Sequence, residues 1–246
     1  MDLIESKTAN VNRHPWELSR TKCILDIIKK YHICTAVDIG AGDRFFISKL
    51  LPFVSGQLYA VDTGYSEKSN VIDGIYCFND ISELSEMGGR EGVILMDVLE
   101  HIFNDTEFLK EILKKTAQDS FLFITVPSFQ FLFSNHDVYL KHYRRYNRKQ
   151  LLALIHSNNL YVEKCHYFYS SLFFVRLISL LFKKVDKQHQ PGIAQWRFHE
   201  KHIITKTFYT LLNLDFYFCT FFAQFHIYLP GLSLLAICRK QGKIIV

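Results

Sequence analysis

Five prolines and eleven glycines in 246 residues exclude a collagenous chain and a Pro/Gly low-complexity one. The six cysteines, Cys23, Cys34, Cys77, Cys165, Cys219 and Cys238, form no C-x-x-C pair. That spacing gives no case for a structural metal site, and none is expected. Most of them have apolar neighbours, as buried free thiols in a reducing compartment would. Charge of one sign is scarce as well, since 29 lysines and arginines against 24 acids leave only +5. So mild a surplus does not call for a nucleic-acid partner, and none is expected. The opening stretch MDLIESKTANVNRHPW lacks an apolar segment, so no secretory signal is read there and a cytoplasmic location is expected. What is plentiful is apolar: 49% of residues are hydrophobic and 22% charged, which excludes intrinsic disorder. The length suits one α/β domain, 1–246, with a real core.

The aromatics are unevenly spread. Of the 37, 18 fall between Tyr161 and Tyr228. Within that region Tyr167–Phe182 carries Arg176 as its only charge, and a run without charge extends from Phe216 to Cys238. By length the second run is a membrane-span candidate. Pro230-Gly231 interrupts it, however, and Leu232–Cys238 reads better as a buried strand. Arg176 at the middle of the first run would cost roughly 2.5–3.5 kcal/mol on insertion. Two readings of 169–230 stay open: a helical cap on the core, or helices resting on a membrane surface. In the second, contact runs through 167–228 at the inner face, with Arg176, Lys183, Lys184 and Lys187 toward headgroups. The oligomeric state is not legible.

Elsewhere the pattern alternates. In the N-terminal segment 1–33, Trp16–Tyr31 reads as an amphipathic helix, with Pro15 in its first turn and Ile24, Ile27, Ile28 and Tyr31 at helical spacing. Thr35–Ile39 is a short apolar strand, and Phe45–Phe53 a helix. Gln57–Val61, Gly74–Phe78, Gly92–Met96 and Phe121–Val126 follow as strands, and Tyr161–Phe168 and Leu232–Cys238 complete a set of seven. Asn104 or Asp105 caps one helix, with Phe108, Leu109, Ile112 and Leu113 inward. Asn147 caps another, containing Leu151, Leu152, Leu154 and Ile155. The expected fold is α/β: a Rossmann-like, doubly wound, mostly parallel seven-stranded sheet with helices on both faces, plus an aromatic-rich helical insertion before the last strand. Ligands of such sheets bind beyond the C-terminal strand ends, near the switch point.

The first strand runs into Gly40-Ala41-Gly42, where glycine permits a tight turn and close approach of a ligand to the backbone. Twenty residues past Gly42 stands Asp62, at the end of the second strand, where a carboxylate accepts hydrogen bonds from ribose hydroxyls. A dinucleotide site asks for a third glycine at position 45, and Phe45 occupies it. This argues against a hydride-transfer enzyme.

Five segments resemble the class I S-adenosylmethionine-dependent methyltransferases over about Thr35–Leu152. VDIGAGDR is similar to that family's first motif, and Ala60-Val61-Asp62 to its second. CFNDISEL is similar to the adenine-contacting segment and GVILMDVLEHIFND to the fourth-strand motif. FLFITVPSFQFLFSNHDVYLKHYRRYNRKQL resembles the substrate-side loop of a bacterial subgroup of methyltransferase type 11/12 character. The resemblance implies S-adenosylmethionine as cofactor, with Asp38, Gly40, Gly42, Asp62, Asp80, Ile81 and Asp97 around it. It also implies a small-molecule, lipid or glycan-precursor acceptor. Arg44 stands where the family usually has glycine, which keeps open a catalytically degenerate domain that binds a nucleoside or a membrane without turnover.

Methyl transfer mainly requires positioning of the acceptor, and a base helps when the acceptor is a hydroxyl. O-methylation is the expected reaction, with His101, His136 and His142 as catalytic candidates. Glu100, Arg144, Arg145 and Tyr146 are expected to bind the acceptor, an arginine gripping a phosphate or carboxylate. The competing reading of this basic segment is that Asp137 pairs with Arg144 or Arg145 and pins the loop. Glu100 and His101 alone do not define a metal site.

Overall fold

The computed structural model describes residues 12–66, 69–84, 91–182 and 196–241. Lys183, Lys184 and Lys187, the expected headgroup contacts, lie outside these, as do residues 1–11 of the N-terminal segment.

Helix α1, Pro15–Ile28, starts on His14, whose ring accepts a hydrogen bond from the Trp16 N–H, with Pro15 preset for the first turn. One 3-10 turn extends it to Tyr31. Then come β1 (Thr35–Ile39), α2 (Phe45–Ser48), β2 (Leu58–Val61), β3 (Ser69–Ile72), β4 (Ile75–Phe78) and β5 (Glu91–Met96). The chain continues through α3 (Asp105–Lys115), β6 (Phe121–Pro127), α4 (Asn135–Tyr139) and α5 (Arg148–Ser157). It ends with β7 (Leu160–Phe168), α6 (Ser170–Phe182), α7 (Ile203–Gln224) and β8 (Ser233–Lys240).

The sheet has eight strands in the order β3-β4-β2-β1-β5-β6-β8-β7. Strands β4, β2, β1, β5 and β6 are parallel, while β3, β8 and β7 pair antiparallel with their neighbours. Two expectations need correction. The eighth strand, β3, carries exposed residues on a sheet edge, so no burial pattern marks it. The helix expected over Phe45–Phe53 is only one turn. Beyond Ser48 the chain tightens into i→i−3 bonds, Lys49 N–H to Phe46 O and Leu50 N–H to Ile47 O. Pro52 disfavours helical backbone at Leu51 and offers no N–H.

Alternation along the strands builds two cores. Ala36, Leu58, Ala60, Ile94, Phe123 and Leu235 face α1 and α7, meeting Ile24, Ile28, Leu212 and Phe216. Val37, Val61, Val93, Leu95, Ile124 and Leu234 face α3 and α5, meeting Leu109, Ile112, Leu151 and Ile155. Five cysteines are buried as expected, but Cys34 is exposed. The aromatic run after Phe216 divides between the end of α7 and strand β8. No helix among the described residues is long and apolar enough to cross a membrane.

Candidate functional site

At the switch point, β1 lies between β2 and β5, and the chain leaves it at Gly40. Gly40 and Gly42 have φ of 74° and 53°. A Cβ on Gly40 would meet the Val98 side chain at 2.7 Å, so glycine is required there for both conformation and space. The N–H groups of Gly40 and Ala41 are donated to Val61 O. Asp62 joins the two strand ends: its Oδ2 accepts from Gly42 N–H and its Oδ1 from Gly64 N–H, both at 2.8 Å. A carboxylate has about four acceptor sites, so roughly two remain for a diol. Asp80 is exposed and begins a 3-10 turn, Ile81–Glu83, by accepting from Ser82 N–H at 2.6 Å. Those hydrogen bonds hold its carboxyl below the usual range.

Arg44 takes the left-handed conformation, φ 66°, that glycine occupies without strain. Its guanidinium lies 5.8 Å from the Tyr65 ring centroid.

The main surprise comes from α1. Arg13 pairs with Glu17 and with Asp43 of the glycine loop. Arg20, buried on the inner face of α1, forms an ion pair with Asp97 at the end of β5 and lies over the Trp16 ring. The Asp97 backbone is left-handed, φ 56°, and its Oδ1 accepts from Thr125 Oγ1 at 3.1 Å. Burial works against the Arg20 charge, and Glu17, Glu100 and Asp38 are among the groups that counter it. The helical spacing of α1 was legible; that one of its cations is drawn inside was not. The local clue is an arginine within an otherwise core-facing stretch of helix.

Asp38 alternates onto this same face and is buried. Burial pushes its carboxyl up to about 7, with Arg20 opposing and Asp62 assisting. An unfolded aspartate titrates near about 4, so between these values the folded protein holds a proton that the unfolded chain has lost. This contribution to stability is complete at low pH and is lost as pH rises through about 7. Asp38→Asn is expected to flatten the decline of melting temperature between pH 4 and 7, measured by calorimetry across that range. An unchanged slope would overturn the assignment.

Beyond Asp97 a 3-10 turn, Leu99–His101, carries Glu100 and His101. Glu100 is fully buried, and no other residue donates a hydrogen bond to either carboxylate oxygen. Burial raises its carboxyl to about 8, against its own backbone N–H and the charges of Arg20 and Arg145. The basic loop folds back over this turn. Tyr143 N–H donates to Glu100 O at 2.7 Å, and the His101 and His142 rings meet edge to face with centroids 4.5 Å apart.

The loop is pinned as the competing reading had it. Asp137 is buried and accepts from Arg145 Nε at 2.7 Å and Nη2 at 3.1 Å, from Ser134 N–H, and from the His142 ring at 3.0 Å. Burial pushes this carboxyl up, but hydrogen bonds from His142 and Arg145 and the arginine charge overrule it and hold it well below the usual range. Arg144 pairs with Asp105 and donates to Phe103 O. The Tyr146 hydroxyl donates to Asp105 at 2.7 Å. Arg144, Arg145 and Tyr146, expected to hold the acceptor, thus spend polar groups within the protein. His136 is half-buried on α4, and burial lowers its pKa. Arg176, expected to face headgroups, donates to Ser134 Oγ; burial and the Arg145 charge work against its own charge, and Asp137 opposes them.

The architecture is similar to that of solved methyltransferases. An S-adenosylmethionine-dependent methyltransferase from Archaeoglobus fulgidus matches with a TM-score of 0.53 at 15% identity, covering 92% of this chain and 94% of that one. The fold is that of the class I methyltransferases. A protein assigned as a sarcosine dimethylglycine methyltransferase from Galdieria sulphuraria gives 0.51 at 8% identity, covering 94% and 92%. One assigned as a methyltransferase from Thermobifida fusca gives 0.51 at 9%, covering 93% and 81%. No family model matches the chain, and no curated protein does.

Proposed function

We propose that the protein is an S-adenosylmethionine-dependent methyltransferase. The observation that carries this is the Gly40–Gly42 turn at the switch point, bridged to Asp62 at the end of β2, within the methyltransferase fold. Bound there, S-adenosylmethionine supplies an electrophilic methyl group on a sulfonium. The residues fit it: Asp62 has acceptor capacity left for the ribose hydroxyls, and Asp80 and Ile81 are suited to flank the adenine. Asp38 and Asp97 supply carboxylates toward the cationic end. His101 and His142 sit together to take the proton of an acceptor hydroxyl, and O-methylation is the reaction this supports.

Calorimetric titration with S-adenosylmethionine and S-adenosylhomocysteine tests the reading. Binding is expected at roughly micromolar strength, about −8 kcal/mol. Asp62→Ala is expected to weaken it about tenfold or more, since a hydrogen bond to a charged group contributes about 1.5–3 kcal/mol. Absent binding, or binding indifferent to Asp62, counts against it.

The acceptor class we favour is lipid-like, presented at an anionic membrane surface. Leu211, Leu214, Phe218, Phe221 and Phe225 recur at spacings of three and four along α7 and its end, and all are more than half exposed. Phe174 and Ile178 of α6 add to the exposed apolar surface, and the chain is net positive. Wild-type protein is expected to sediment with phosphatidylglycerol vesicles, and Phe218→Ser/Phe221→Ser to lose at least tenfold in partitioning. A dimer that hides this face and ignores vesicles would overturn the lipid reading.

A further inference from the structure

We propose that Glu100, His101 and His142 form a binding site for a divalent transition-metal ion, with coordination positions left open toward the acceptor. One donor atom from each of the three lies within 4.8 Å of the other two. Two imidazoles and a carboxylate suit zinc, manganese, iron and cobalt, and three protein ligands leave places for an oxygen of another molecule. Ligands held about 2.1 Å from an ion lie roughly 3–3.5 Å apart, so binding asks these side chains to close by about 1 Å.

Two further observations point to an ion. Glu100 is fully buried, yet no other residue donates a hydrogen bond to either of its carboxylate oxygens. Buried carboxylates are ordinarily satisfied, and a metal ion supplies what this one is missing. The nearby arginines place charge near it but donate no hydrogen bond to it: Arg20 is paired with Asp97 and Arg145 with Asp137. The second observation is the orientation of His142. Its Nδ1 lies 3.0 Å from Asp137 Oδ1, and Asp137 is itself held by the Arg145 fork. A carboxylate behind one ring nitrogen fixes the proton there and turns the lone pair of the other, Nε2, toward a metal. The Tyr143 N–H to Glu100 O bond, 2.7 Å, ties the loop to the turn that carries the other two ligands. Adjacent Glu100 and His101 are too few in sequence to define a site; the third ligand is supplied by the loop after β6.

The role of the ion rests on the methyltransferase reading, though its binding does not. With an ion bound, His101 and His142 would serve as its ligands and no longer take the acceptor's proton; the open positions would instead acidify the hydroxyl, and they suit two neighbouring oxygens on a lipid-like acceptor, as in a catechol or a sugar diol.

The test is titration of the full chain with Co2+, followed by visible absorption. One equivalent is expected to bind saturably and develop ligand-field bands. Glu100→Gln, His101→Gln and His142→Gln are each expected to weaken binding at least tenfold, with Asp137→Asn weakening it 10–100-fold through His142. Circular dichroism checks that each variant folds, and if one does not the others carry the test. No binding by the wild type, or equal binding in all folded variants, overturns the site. S-adenosylhomocysteine titration of the same samples separates the two readings. Cofactor binding without cobalt binding removes the metal site alone, while cobalt binding without cofactor binding supports the site and removes the methyltransferase reading.

Discussion

Arg20→Ala is expected to lower the melting temperature by roughly 6–20 °C. Removing one member of a buried ion pair costs about 3–5 kcal/mol, and each kcal/mol moves the midpoint of a chain this size by about 2–4 °C. Arg20 is buried, paired with Asp97, stacked on Trp16, and opposes the charge of Glu17, Glu100 and Asp38. Its loss leaves these acids with no cation from α1 at this point. Arg20→Met restores the volume and is expected to recover only a minor part of the loss. The double variant Arg20→Ala/Asp97→Asn is expected to be less destabilised than the sum of the singles, because the second change removes the charge that the first left unpaired. Additive losses in differential scanning calorimetry would mean that the pair is not formed.

Asp137→Ala is expected to cost a similar amount, about 3–5 kcal/mol, for the complementary reason. The carboxylate removed is buried and accepts from Arg145, Ser134 and His142. Arg145 would be left as a buried, unpaired guanidinium. Asp137→Asn retains one acceptor oxygen and is expected to be milder. Limited proteolysis gives an independent readout: cleavage within 128–146 should appear in the alanine variant at protease levels that leave the wild type whole. Unchanged cleavage would show that this acid does not hold the loop.

These two residues differ in how far they were legible. Asp137 is legible as a loop pin because Arg145 lies only eight residues away. Arg20 could not be, because its partner is 77 positions away and only the folded sheet brings the end of β5 under α1. The same contrast holds for the fold. Strands β1, β2, β4, β5, β6 and β8 are largely apolar, as strands covered by helices are, and β7 is buried over Cys165–Phe168; the limits of all seven are legible to within one or two residues. Strand β3 has an exposed pattern and exists through its pairing with β4. The caps at Asn104 and Asn147 were legible because capping is local chemistry. The two core faces follow from alternation, but the choice of partners for Arg144 and Tyr146 at Asp105 does not.

Strand β8 is the last of the described strands to be synthesised, yet it lies between β6 and β7 and pairs with both. Its contacts join Phe121 to Arg239 and Pro127 to Ser233, more than a hundred positions apart. On the ribosome, β6 and β7 therefore wait with unsatisfied edges until residue 240 has cleared the exit tunnel. Emergence of this one segment allows the sheet to close, so β8 pairs only after both of its partner strands have been made.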